Sequence, residues 1–181
     1  MSASATRAQG AGAREPAVQR QPTLLSSCAR AATAAEARYR ITYPGFTHRN
    51  SRVIALGDEA EATVRDLEGR PWDGGHFLVF ESALPDDALL RHAGTGGTAL
   101  LSEELDGADT IVMVASAGAS AEAASVIGDA AAARGIMSAG LVLPCGGPGS
   151  EVVSALRPNA MVLVVLRDAA DVLQVLSALR V

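Results

Sequence analysis

The sequence predicts the α/β class: one three-layer domain over residues 51–181 with a mostly parallel sheet, preceded by a disordered tail over residues 1–50. Three observations lead there. Short apolar runs alternate with helix-length segments in the order β-α-β-loop-α-β-α-β-α-β-α. Several of those runs are apolar at every residue rather than at every second one, which burial on both faces requires and a parallel sheet under helices supplies. Finally, 181 residues suit one domain plus a tail, and 49% hydrophobic content with only 3% aromatics means a core of Ala, Val, Leu and Ile.

The tail is rich in Ala, Ser, Gln, Arg and Pro, with one short apolar patch at Leu24-Leu25. It cannot bury enough surface to offset chain entropy. Thr33 to Tyr39 is predicted to make a helical turn or two, and Tyr43-Pro44-Gly45-Phe46 a turn into the domain. Arg52 to Leu56 is the first strand, ending at Gly57, and Asp58 to Leu67 is a helix capped by Asp58 and stopped at Gly69. Trp72 to Gly75 is a turn and His76 to Phe80 the second strand. Leu84 to Thr98 is expected to be a loop with one helical turn, and Ala99 to Leu105 a short helix. Thr110 to Ala115 is the central strand, and Ser120 to Arg134 a helix between Ser120 as cap and Gly135 behind it. Met137 to Leu143 and Met161 to Leu166 complete the strands. Ser150 to Leu156 and Asp168 to Leu179 complete the helices, with Asp168 near the last cap. Right-handed crossovers then favour a Rossmann-like sheet.

Charge narrows the function classes. All 15 basic residues are Arg, which with the Ala and Gly content is the mark of a GC-rich bacterial genome. Met1 to Arg52 carries a balance of +6 and the remainder −11. An acidic domain poor in aromatics neutralises no phosphates, so no nucleic-acid partner is expected. Cys28 and Cys145 make neither a metal spacing nor a disulfide framework. No apolar run approaches the ~20 residues of a membrane span. The opening residues lack the apolar segment of a secretory signal, so a cytoplasmic location is expected.

In such a sheet, ligands bind beyond the carboxyl ends of the strands, near the switch in strand order. The candidate ligand residues are Gly57, Asp58, Ser116, Gly118, Ala119, Ser120 and Asp168. Bare N–H groups at a helix start would serve a phosphate, and the small residues after Ala115 allow close approach. Asp58 and Glu59 oppose it, because like charges at contact range repel by ~1 kcal/mol in water. There is no G-x-G-x-x-G and no P-loop, and Gly94 to Thr98 follows no clear strand, so it is read as a flexible loop. No cofactor is predicted, and a nucleotide is the ligand class left open by the fold.

The order of elements resembles the nucleotide-binding half of the tubulin/FtsZ family of polymerising GTPases. Arg52 to Gly57 is similar to that family's first strand and phosphate loop. Glu81-Ser82-Ala83-Leu84 stands where the family has its NTDxQxL stretch, and Asp106-Gly107-Ala108-Asp109 resembles its GAD sequence before the central strand. Ser116 to Ser125 occupies the place of the GGGTGTG signature, here Ala117-Gly118-Ala119-Ser120-Ala121-Glu122-Ala123. Leu156 to Asp168 resembles the next strand and ND loop. Most signature glycines and threonines are missing, and the chain ends where the family's long central helix begins. The resemblance therefore implies a degenerate, non-catalytic member.

His48, His76 and His92 share no metal-ligand spacing. Cys145 in Pro-Cys-Gly-Gly-Pro-Gly and Ser116 or Ser120 have no visible base in sequence, so they are read as turn and cap residues. The leading expectation is a domain acting through protein–protein contact or self-association. The alternatives are a small-ligand or nucleotide binder using residues 116–120, and an enzyme of unnamed chemistry.

Overall fold

In the computed structural model, residues 49–144 and 151–181 are described. The tail with Cys28 and His48, and the loop with Cys145, lie outside the described residues. The strands are β1 (Ser51–Leu56), β2 (Gly75–Ala83), β3 (Ala88–His92), β4 (Thr98–Leu100), β5 (Thr110–Ala115), β6 (Met137–Val142) and β7 (Val162–Val165). The helices are α1 (Asp58–Glu68), α2 (Leu101–Glu104), α3 (Ala121–Arg134), α4 (Glu151–Leu156) and α5 (Asp171–Leu179). One sheet holds the strands in the order β4-β3-β2-β1-β5-β6-β7.

β1 pairs in parallel with β2 and β5, β5 with β6, and β6 with β7. Every residue of β1 and β5 is buried, which is why those runs carry no polar alternation. Their side chains feed two cores. Ile54, Leu78, Met113 and Ile111 pack with Leu101 of α2, Ile127 of α3 and Leu156 of α4. On the other face, Val53, Val79, Val112 and Val114 pack with Val64 of α1 and Leu176 of α5. The result is the expected three-layer α/β sandwich of helix, sheet and helix.

The main difference lies at 84–105. The expected loop is a hairpin: β3 runs antiparallel to β2, with a bulge between Phe80 and Ser82, and β4 runs antiparallel to β3. Leu84 N–H donates to Asp87 O across the tip Leu84-Pro85-Asp86-Asp87. The run Ala88-Leu89-Leu90-Arg91-His92 alternates, with Ala88 and Leu90 buried. Its polar members hide a half-buried antiparallel strand, because only one face needs to be apolar. The short helix accordingly starts at Leu101 rather than Ala99.

Helix ends follow local chemistry. α3 starts at the Ser120 hydroxyl, which accepts from the Glu122 and Ala123 N–H groups, and ends at Gly135 with φ 68°. A left-handed residue closes a helix without strain when it has no Cβ. Asp58 is not the cap of α1: Gly57 holds that position, and Asp58 falls within the first turn. Asp168 also precedes its helix, which begins at Asp171, and its Oδ1 accepts from Ala170 N–H in a local turn.

Candidate functional site

Counting parallel strands alone, the order β2-β1-β5-β6-β7 is the doubly wound 2-1-3-4-5 pattern, whose switch point lies between β1 and β5. Residues 57–60 and 116–120 leave the sheet there, side by side. A Cβ on Gly57 would stand 2.6 Å from Ser116 Oγ and 3.2 Å from Ala117 O. Gly57 has φ 99° as well, so both its conformation and its neighbours demand glycine. The structure therefore sets the loop carrying Gly57 and Asp58 beside the loop carrying Ser116, Gly118, Ala119 and Ser120 at the switch-point crevice between β1 and β5. Asp168 follows β7 on the same rim, two strands from β5 and three from β1, roughly 10–14 Å away at the usual strand spacing.

The two hydroxyls at these loops are already engaged within the protein. Ser116 is fully buried; its Oγ accepts from Ala60 N–H at 3.2 Å, and its N–H donates to Leu56 O at 3.1 Å. The Ser120 hydroxyl is spent on the start of α3. Ala119 N–H turns back to Ser116 O. Asp58 and Glu59 project from the start of α1 and are exposed, and Glu122 stands at the start of α3. Gly118 has open space where a side chain would begin. Arg91, a cation on the α1 face of β3, lies 3.0 Å from Glu61 and 2.5 Å from Glu81. The hydrogen bonds its guanidinium donates to the Glu81 and Glu61 carboxylates hold it above the usual arginine value. An anion arriving at the switch point meets the carboxylates of Asp58, Glu59 and Glu122 and a Ser120-capped start of α3.

A second polar cluster, absent from the sequence reading, lies toward the opposite rim. Glu104 of α2 receives Arg52 Nε at 2.9 Å, His76 Nδ1 at 2.8 Å and His92 Nε2 at 3.6 Å. Burial pulls the Arg52 guanidinium below its usual value, against the Glu104 carboxylate, which pulls it back up. Arg52 Nε also reaches Glu104 O, and Nη1 reaches Asn50 Oδ1. These residues are far apart in sequence and meet because β1, β2, β3 and α2 converge. No local spacing announces them, and His92 is misplaced once β3 is taken for a loop. Among the described residues, no three His, Cys, Asp or Glu side chains are arranged to hold a metal ion.

A third feature is the β7 edge. Met161, Val162 and Val165 are 76%, 51% and 45% exposed, and β7 is the last strand of the sheet on that side. A cleft of about 530 Å³ lies elsewhere, between α2 and the end of α3, with Leu105, Ala108, Arg134 and Ile136 in its wall. No helix among the described residues is long and apolar enough to cross a membrane. Comparisons with protein-family models, curated proteins and solved structures return no match for this chain.

Proposed function

We propose that this chain is a non-catalytic protein–protein interaction domain that docks partners along the free edge of β7. The observation that carries the reading is the edge itself. Met161-Val162-Leu163-Val164-Val165-Leu166 is an uncharged, proline-free run with high strand propensity, and its outer side is open among the described residues. Edges of this kind are usually guarded by charge, proline, a bulge or brevity. The opposite edge is guarded by brevity: β4 has three residues and begins at exposed Thr98. β7, four residues long, carries no charge, proline or bulge within its apolar run, and an extended segment laid beside it would gain main-chain hydrogen bonds and apolar cover together.

The switch-point crevice supports the same reading from the other side. Its Ser116 hydroxyl ties the two loops together and its helix starts carry carboxylates, which disfavours nucleotides and nucleic acid alike. In this reading the chain is a degenerate tubulin-like or Rossmann-like domain that keeps the sheet and has lost the phosphate loops. Two titrations test it. Millimolar GTP, GDP or NAD should leave the melting temperature unchanged, whereas a ligand at a hundred times its Kd would stabilise by about 2.7 kcal/mol. A labelled extended apolar peptide should bind by fluorescence anisotropy, and Val162→Lys should abolish that binding. A nucleotide-dependent rise in Tm, or peptide binding indifferent to Val162→Lys, contradicts the proposal.

A further inference from the structure

We infer that the segment docked on β7 is a strand of a partner protein that is uncharged and apolar at every residue, covering both faces of the sheet at once, rather than an alternating strand that covers one. The inference rests on the edge-docking reading and names the chemistry of its occupant. β7 pairs with β6 in a register running from Ala139↔Val162 to Val142↔Val165, and Leu166 N–H donates to Val142 O at 2.9 Å. That pattern turns the main chain of Val162 and Val164 toward β6. The N–H and C=O groups of Leu163 and Val165 therefore face the open side, where an added strand would take them.

The side chains define what that strand carries. Successive residues point to opposite faces of the sheet. Leu163 packs on the core that holds Ile127 and Leu156, and Val164 on the core that holds Val64 and Leu176. Met161 and Val165 stand on the first of these faces and Val162 on the second. All three are exposed, so apolar surface lies open on both faces beside the same edge. An incoming strand of alternating polarity covers only one of them. A slip of one residue moves its apolar set to the other face, never to both.

β7 itself has the make-up of a strand covered on both sides. From Met161 to Leu166 it has no polar residue, as in the apolar runs of β1 and β5, every residue of which is buried. A strand with one face near water alternates instead, as β3 does. Yet Val162 and Val165, at the two ends of β7, are exposed. Charge points the same way. No charged residue lies between Arg157 and Arg167, so a charge brought in beside the middle of this edge would lose water with nothing to pair it.

Two labelled peptides, each with Lys at both ends, test this by fluorescence anisotropy on the full chain. One has a central run of Val and Ile. The other has Thr at every second position of that run, which keeps the β-branched shape and the strand propensity. The uniformly apolar peptide should bind about tenfold more tightly, the sum of a few cross-strand apolar contacts. It should also slow exchange of the Leu163 and Val165 amides. Val162→Thr and Val165→Thr, one on each face, should each shrink that preference with circular dichroism unchanged. Equal binding of the two peptides, with the Leu163 and Val165 amides protected by both, overturns the inference and leaves the edge-docking reading standing. Protection of those amides in the chain alone, in step with a rise in sedimenting mass, gives the edge to a second copy and overturns the inference of a separate partner. Failure of both peptides to bind, with both amides exchanging freely, removes the inference and the edge-docking reading together.

Discussion

At Ser116 a buried hydroxyl bridges two loops that are 60 residues apart in sequence, taking the Ala60 N–H and lying 3.5 Å from Leu56 O. Ser116→Ala leaves that buried N–H without its acceptor. It should cost about 1–3 kcal/mol in urea unfolding. Gly57→Ala forces a Cβ into the same hydroxyl at a positive φ, and should cost about 1–3 kcal/mol from backbone strain alone. At Asp87, burial by itself would raise the carboxyl. Hydrogen bonds from Ser102 Oγ and from the Ala88 and Ser102 N–H groups, together with the Arg134 charge, outweigh it and hold the group below the usual carboxylate range. A folded value below the unfolded one gives stability that is present above about pH 3.9 and lost as pH falls through the folded value. Asp87→Asn should therefore be less stable than the parent at pH 7, and the gap between their urea midpoints should narrow as pH drops below 4.

Among the elements, the hairpin β3–β4 and helix α2 depend on one ion pair. Arg52 is 4% exposed, and Glu104 answers it from α2 while also holding His76. Glu104→Ala strands a cation inside the fold and should cost about 3–5 kcal/mol in chemical denaturation. Hydrogen exchange should show the loss first in β3 and α2. Legibility in the sequence divides along the same line. β1, β5 and α3 were readable because each carries its own pattern: an apolar run closed by a small residue, or a helix between Ser120 and Gly135. β3 was not, because a half-buried edge-side strand with Arg91 and His92 looks like loop until its pairing with β2 is known. The Arg52–Glu104–histidine cluster was invisible for a related reason, since it exists only where three strands and a helix meet. The loop pair at Gly57 and Ser116 was legible as a position but not as a chemistry. The sequence shows a small hydroxyl residue there, and only the fold shows the hydroxyl turned inward.

Over the whole molecule, the two edges of the sheet are treated differently, and the proposed function follows from that asymmetry. One side ends in a three-residue strand that runs straight into α2; the other ends in an apolar strand with Met161, Val162 and Val165 in solvent. Meanwhile the rim where an α/β sheet ordinarily takes a ligand is bordered by Asp58, Glu59, Glu122, Asp168 and Asp171. The central claim is that binding happens at the β7 edge rather than in the switch-point crevice. Residue-resolved amide exchange, with and without a saturating strand-forming peptide, separates the two places in one experiment. The account predicts slowed exchange at Leu163 and Val165, whose N–H groups face away from β6, and unchanged rates from Gly57 to Ala60 and from Ser116 to Ser120. Protection confined to those two loops, with the Leu163 and Val165 amides exchanging as before, would contradict it.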